Sequence, residues 1–114
     1  MRKTSVIDLF LSQQDEEFTN AVRAYEQHDM SRAFKAFERL AQKDDPQAQM
    51  NLAFMLRDGQ GVAQDLVSAY MWLELAARLG DEIAIQERNR LQHRMSPQQV
   101  ALANQRALAQ RTAA

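Results

Sequence analysis

Apolar residues recur along this chain at the spacing of helices. In the stretch 46–57, Ala48, Leu52, Met55 and Leu56 fall on one stripe, while Met50 and Phe54 lie together on nearly the opposite side. The stretch 65–79 is apolar almost all round, with Leu66, Ala69, Tyr70, Leu73, Ala76 and Ala77 on one side and Val67, Met71, Leu75 and Leu79 on another. A helix of that kind is buried on most sides, which makes it central. Tyr70 and Trp72 then read as core residues, with a site role as the alternative, and their O–H and N–H groups require partners.

Polar residues punctuate these stretches in helix-start and helix-stop patterns. Asp45 precedes Pro46, so the carboxylate can cap free amides while proline occupies the first helical position. Gly80-Asp81 sets a residue tolerant of left-handed backbone at one helix end and a capping residue at the next start. Ser96-Pro97-Gln98-Gln99 has the form of a capping box with proline at the first turn. The resulting map has a short helix or extended arm at 5–13, then helices near 15–28, 30–43, 46–57, 65–79, 82–94 and 97–111. Asp58-Gly59-Gln60-Gly61-Val62-Ala63-Gln64 is the one clear loop, its glycines available for positive-φ positions. The other junctions are short, which forces neighbouring helices to run antiparallel.

The pattern also repeats. Ala33, Phe34, Phe37, Glu38, Leu40, Ala41, Asp45 and Ala48 superpose on Ala69, Tyr70, Leu73, Glu74, Ala76, Ala77, Asp81 and Ala84, a constant offset of 36 residues. The shared positions are small or apolar on a helix, followed by the aspartate that opens the next one. The residues Ala48-Gln49-Met50-Asn51-Leu52-Ala53-Phe54-Met55-Leu56, Asp58-Gly59-Gln60-Gly61-Val62, Gln64-Asp65, Ala69-Tyr70-Met71-Trp72-Leu73, Ala76-Ala77 and Gly80-Asp81 resemble the Sel1-like repeat. That bacterial and eukaryotic family is related to the tetratricopeptide repeat. The preceding unit, with Ala21, Ala24, Tyr25, Ala33, Phe37 and Pro46, resembles a plain tetratricopeptide unit and lacks the Gly-x-Gly insertion.

The resemblance implies an all-α fold, a short α-solenoid of antiparallel helix pairs. It divides a single domain, 1–114, into an N-terminal arm (1–14), a tetratricopeptide-like unit (15–44), a Sel1-like unit (45–80) and a C-terminal helical cap (81–114). It further implies a non-catalytic adaptor that holds a protein or peptide on the concave face of its first helices. The candidate contact residues are Asn20, Arg23 and Gln27 from one first helix and Gln49, Met50, Asn51, Phe54 and Arg57 from the next. Amide and guanidinium groups there could bond a peptide backbone or its carboxylates, and each is equally readable as plain surface. Met50 and Phe54 either complete the two-sided packing of a solenoid helix or stay partly open in the groove.

Val6, Ile7, Leu9, Phe10 and Leu11 precede the first repeat. They are expected either to fold back over the open end of the stack or to dock on a second copy, making the chain a structural subunit of an oligomer. Interrupted by Asp8 and followed by Ser12-Gln13-Gln14, this segment is too short for a secretory core, and no apolar run reaches membrane-spanning length. A cytoplasmic location is the corresponding expectation.

Composition changes the picture in one respect. The net charge is only −1, but residues 86–114 hold five arginines (Arg88, Arg90, Arg94, Arg106 and Arg111) against one acid, and the rest of the chain is acidic. Such a tail either pairs with the acidic body or steers a polyanion. Nucleic acid is the weaker reading, since aromatic and basic residues do not interleave. There is no cysteine, His28 and His93 stand alone, and Gly59-Gln60-Gly61 lacks the lysine of a phosphate loop. No cofactor, metal or catalytic constellation is expected.

Overall fold

The computed structural model describes the backbone of residues 6–112 and the side chains of residues 16–111. Six helices follow one another: α1 (Val6–Glu26), α2 (Met30–Ala41), α3 (Pro46–Asp58), α4 (Leu66–Arg78), α5 (Glu82–Gln92) and α6 (Pro97–Thr112), with no strand among the described residues. Helices adjacent in sequence pack on one another from α1 through α5, and α6 returns to lie on α4. The fold is a short helical solenoid, extended to 57 × 31 × 24 Å.

From α2 to α6, each helix starts on a side chain suited to satisfy free backbone amides. Asp29 accepts from the Arg32 amide, Asp45 from those of Gln47 and Ala48, Asp65 from Ser68 and Asp81 from Ala84. Ser96 and Gln99 form a reciprocal capping box at α6, the Gln99 amide donating to Ser96 Oγ at 3.1 Å and the Ser96 amide to Gln99 Oε1 at 2.9 Å. Three junctions share one device, a left-handed residue followed directly by the capping aspartate: His28-Asp29, Asp44-Asp45 and Gly80-Asp81. Only the last uses glycine.

The junction between α3 and α4 differs because a loop is inserted there. Gly59 caps α3 with φ of 72°, and Gly61 has φ of 70° and lies against the start of α2. A Cβ on Gly61 would stand 2.4 Å from the Met30 carbonyl oxygen. The loop therefore seats on the first unit at a point where only glycine fits.

α4 is the centre of the core, as its all-round apolar pattern predicts: eight of its residues, Tyr70 and Trp72 among them, are buried. It is covered by α3, α5 and α6. α6 reaches it through Ala103 and Ala107, both fully buried. α2 contributes Phe37, Leu40 and two alanines, and Phe18 of α1 packs edge-on to Phe37 with ring centroids 5.8 Å apart.

One boundary differs from the sequence reading. The expected break near residue 14 is absent, and α1 runs without interruption from Val6 to Glu26. Ser12-Gln13-Gln14 is polar but contains neither proline nor glycine, so nothing there stops a helix. The packing expected of Val6, Ile7, Leu9, Phe10 and Leu11 concerns side chains outside the described residues.

Candidate functional site

Between the two first helices, α1 and α3, lies a cavity of about 250 Å³. Val22 and Tyr25 of α1 form one wall and Asn51, Phe54 and Met55 of α3 the other, with Phe37 between them and Gln60 of the loop at one edge. These positions follow from helix geometry, since Asn51, Phe54 and Met55 share one side of α3 and Val22 and Tyr25 one side of α1. The lining is largely apolar but carries two amides. Tyr25 and Gln60 bond each other across the edge: the hydroxyl lies 3.3 Å from Gln60 Oε1 and 3.0 Å from Nε2.

Phe54 is half-buried and continues toward the surface as a platform for Arg57, whose guanidinium carbon sits 4.7 Å above the ring centroid. Arg57 also makes two bonds to Asp58, at 2.8 and 3.0 Å, and approaches Glu87 of α5 at 3.6 Å. The hydrogen bond to Asp58 raises the Arg57 pKa above its ordinary value and, from the other side, lowers that of Asp58, to which the charge of Arg94 adds. Arg57 is thus held in place by its own fold, with its guanidinium over the groove aromatic.

The structure separates the residues singled out in the sequence into three places. Asn51 and Phe54 line the groove, and the Arg57 guanidinium lies over the Phe54 ring. Met50, one turn before Phe54, is half-buried against the core. Asn20, Arg23 and Gln27 lie elsewhere, on the side of α1 that faces Arg32, Ala36 and Arg39 of α2, where Arg23 donates to Asn20 Oδ1 at 3.2 Å. They are roughly a third of a turn or more from Val22 and Tyr25 around the helix, so they do not share the cavity with Phe54.

Gln49 departs furthest from its expected place. It is 1% exposed, and its Nε2 donates to the carbonyl of Ala41 at 3.1 Å, tying α3 to the end of α2. Its wall faces a different cavity, at the ends of α2, α4 and α6. The sequence reading missed Val22, Tyr25 and Gln60. Tyr25 carried a usable signal: an aromatic on the apolar side of a first helix, 37% exposed in the fold.

The basic C-terminal region is largely paired within the molecule. Arg88 donates to Glu74 at 2.9 Å and Arg90 to Glu87 at 3.0 Å, while Arg94 and Arg106 lie close enough to Asp58 and Asp65 to lower their pKa values. Glu74 also accepts from Arg78 at 3.0 Å. Beside it, burial and the Glu74 charge raise the Tyr70 pKa, and the hydroxyl bonds Asn104. The core tyrosine thereby has the polar partner it requires. Among the described residues no cluster of three or more His, Asp or Glu side chains is placed to hold a metal ion, and no helix is long and apolar enough to cross a membrane.

Residues 46–81 match the Sel1 repeat model, a span that begins at the first residue of α3 and ends at the cap of α5. Sel1 repeats are generally protein–protein interaction modules. No curated protein shows significant similarity to the chain.

Proposed function

Taking residues 46–81 as a Sel1 repeat, we propose that this chain is a non-catalytic adaptor that holds a segment of another protein in the groove between α1 and α3. The observation that carries the proposal is the groove itself. It is an apolar cavity of about 250 Å³ walled by two first helices, with the amides of Asn51 and Gln60 at its surface. Apolar walls with a few convergent polar groups are the usual composition of a binding site. The volume suits one bulky apolar side chain, and the amides can bond the backbone on either side of it.

Preorganisation supports the same reading. The groove is floored by the buried core residues Phe37 and Met55 and braced by the Tyr25–Gln60 pair and the Arg57–Phe54 stack. A surface fixed in this way loses little conformational entropy when a partner binds.

Co-purification with the native protein supplies the partner, and titration of variants tests the site. Phe54→Asp and Tyr25→Ala, checked for helicity by circular dichroism, are expected to weaken binding at least tenfold, whereas Arg23→Glu on the other side of α1 leaves it within twofold. Binding that is indifferent to the first two and lost with Arg23→Glu would move the site to the α1–α2 cleft.

A further inference from the structure

The cleft between α1 and α2, about 310 Å³ in volume, shares no residue with the groove. Two small residues, Ala24 and Ala36, lie in it, and around them stand Arg23 from α1 and Arg32 and Arg39 from α2, with the amides of Asn20 and Gln27. Helix geometry gathers these groups. Asn20, Arg23, Ala24 and Gln27 are spaced by three or four residues along α1 and the turn that closes it, as are Arg32, Ala36 and Arg39 along α2. The second unit differs at the same positions. At the constant offset of 36 residues, Ala36 and Arg39 correspond to Trp72 and Leu75, both buried, and Leu75 shares a cavity wall with Gln42 and Asp44 from the end of α2. Where the second unit presents apolar surface to a neighbouring helix, the first presents a hollow and a cation.

The loss of apolar residues alone would suit the polar outer face of a capping repeat, but polarity does not select a sign. Here one sign dominates. Arg23 donates to the neutral Asn20, Arg39 makes no ion pair with any described residue, and Arg32 approaches Asp29 at 3.5 Å. Lys35, the remaining cation of α2, lies outside the cleft. The one acid of the cleft wall, Glu17, is matched by Lys43 at 3.0 Å. The cleft therefore holds positive charge that its own walls do not balance, with Glu17 toward one end and Asp29, the cap of α2, toward the other.

We propose that this cleft receives a short acidic segment of another protein, its carboxylates bonded by Arg23, Arg32 and Arg39 and its backbone by the amides of Asn20 and Gln27. Arginine suits the role because its planar fork pairs a carboxylate through two parallel bonds, and charge-assisted bonds of this kind are stronger than neutral ones. A short run of carboxylates fits better than the backbone of a nucleic acid, whose evenly spaced charges would run onto Glu17 and Asp29. The site stands beside the groove and does not depend on it.

The probe is a hexapeptide blocked at both ends, four glutamates between terminal glycines, titrated into the full chain at low ionic strength, where screening is weak. NMR follows the side-chain amides of Asn20 and Gln27 and the Nε–H groups of the arginines. Saturable shifts are expected at Asn20, Gln27, Arg23 and Arg39, with binding about tenfold weaker for the same peptide carrying glutamine in place of glutamate. Arg23→Gln and Arg39→Gln, at exposed positions, should each weaken the acidic peptide about fivefold, while Arg111→Gln, which removes the same charge from α6, leaves it within about twofold. The proposal is overturned by an absence of saturation up to the solubility limit, by equal affinity for the two peptides, or by an equal loss in Arg111→Gln and Arg23→Gln. Tighter binding of oligouridylate at the same residues also overturns it, since the cleft would then be a site for a phosphate backbone. Because the cleft and the groove share no residue, none of these results bears on the groove.

Discussion

Gly61 is the residue on which the junction of the two units turns. It needs both a positive φ and the absence of a Cβ, because a Cβ would meet the Met30 carbonyl at 2.4 Å. Gly61→Ala is expected to cost more than about 2 kcal/mol, since backbone on both sides of the contact must shift. Chemical denaturation measures this directly. Gly80, with φ of 95° but open space around it, should lose less on the same substitution. At His28, φ of 62° is held by a residue with a side chain, so His28→Gly is expected to stabilise by about 0.5 kcal/mol or more, the relief of left-handed strain outweighing the added freedom of the unfolded chain.

Asp65 acts at the same scale through its charge. Burial raises its pKa, but the amide and hydroxyl of Ser68 and the charge of Arg106 outweigh this, and the net result lies below the ordinary 3.8. A carboxyl held below its unfolded value contributes stability that is present above that value and lost as pH falls through the folded one. Asp65→Ala should therefore cost about 1 kcal/mol at neutral pH. That difference should shrink as pH drops below 3.8, in parallel denaturation curves of the two proteins. The capping roles of Asp45, Asp81 and Ser96 were legible in the sequence, because a short polar acceptor just before an apolar-periodic run can cap the free amides, whereas that of Asp65 was not drawn from it. Gln49 was not legible: a glutamine between Ala48 and Met50 reads as surface until the Ala41 carbonyl that engages it is placed.

Among elements, α4 shows how far periodicity carries. An apolar pattern all round predicted a central helix, and α3, α5 and α6 cover it. α6 approaches closely because Ala103 and Ala107, four residues apart, are its fully buried positions. Ala103→Leu inserts volume where there is none and is expected to destabilise by about 1–3 kcal/mol, read as a lowered midpoint of cooperative unfolding. The rotation of α1 was harder to read. Ala21 and Ala24, both buried, leave only a weak apolar stripe beside Asn20, Arg23 and Gln27, and Tyr25 was the one residue that marked the other side. Only the position of α3 decides which of them faces the groove.

For the whole molecule, the repeat offset and the Sel1 resemblance predicted a short solenoid, and the six packed helices have that form. The C-terminal pair covers α4 but also exposes Ile83, Leu102 and Leu108 at 57, 40 and 59%. The basic tail is in large part balanced by Glu74, Glu87, Asp58 and Asp65, because the helix that bears each arginine packs near an acid from another turn or unit. A tail neutralised in place has little charge left to steer a polyanion. The groove between α1 and α3 is the better surface for a protein segment, and site-specific photo-crosslinking is the measurement that tests it most directly. A benzophenone side chain at Asn51, on the groove wall, is compared in the native cell with the same group at Lys35, which is exposed on α2. The account predicts a discrete heavier product from position 51 that disappears with Phe54→Asp, and none from position 35. Equal products from both positions, or a product from position 35 alone, would contradict it.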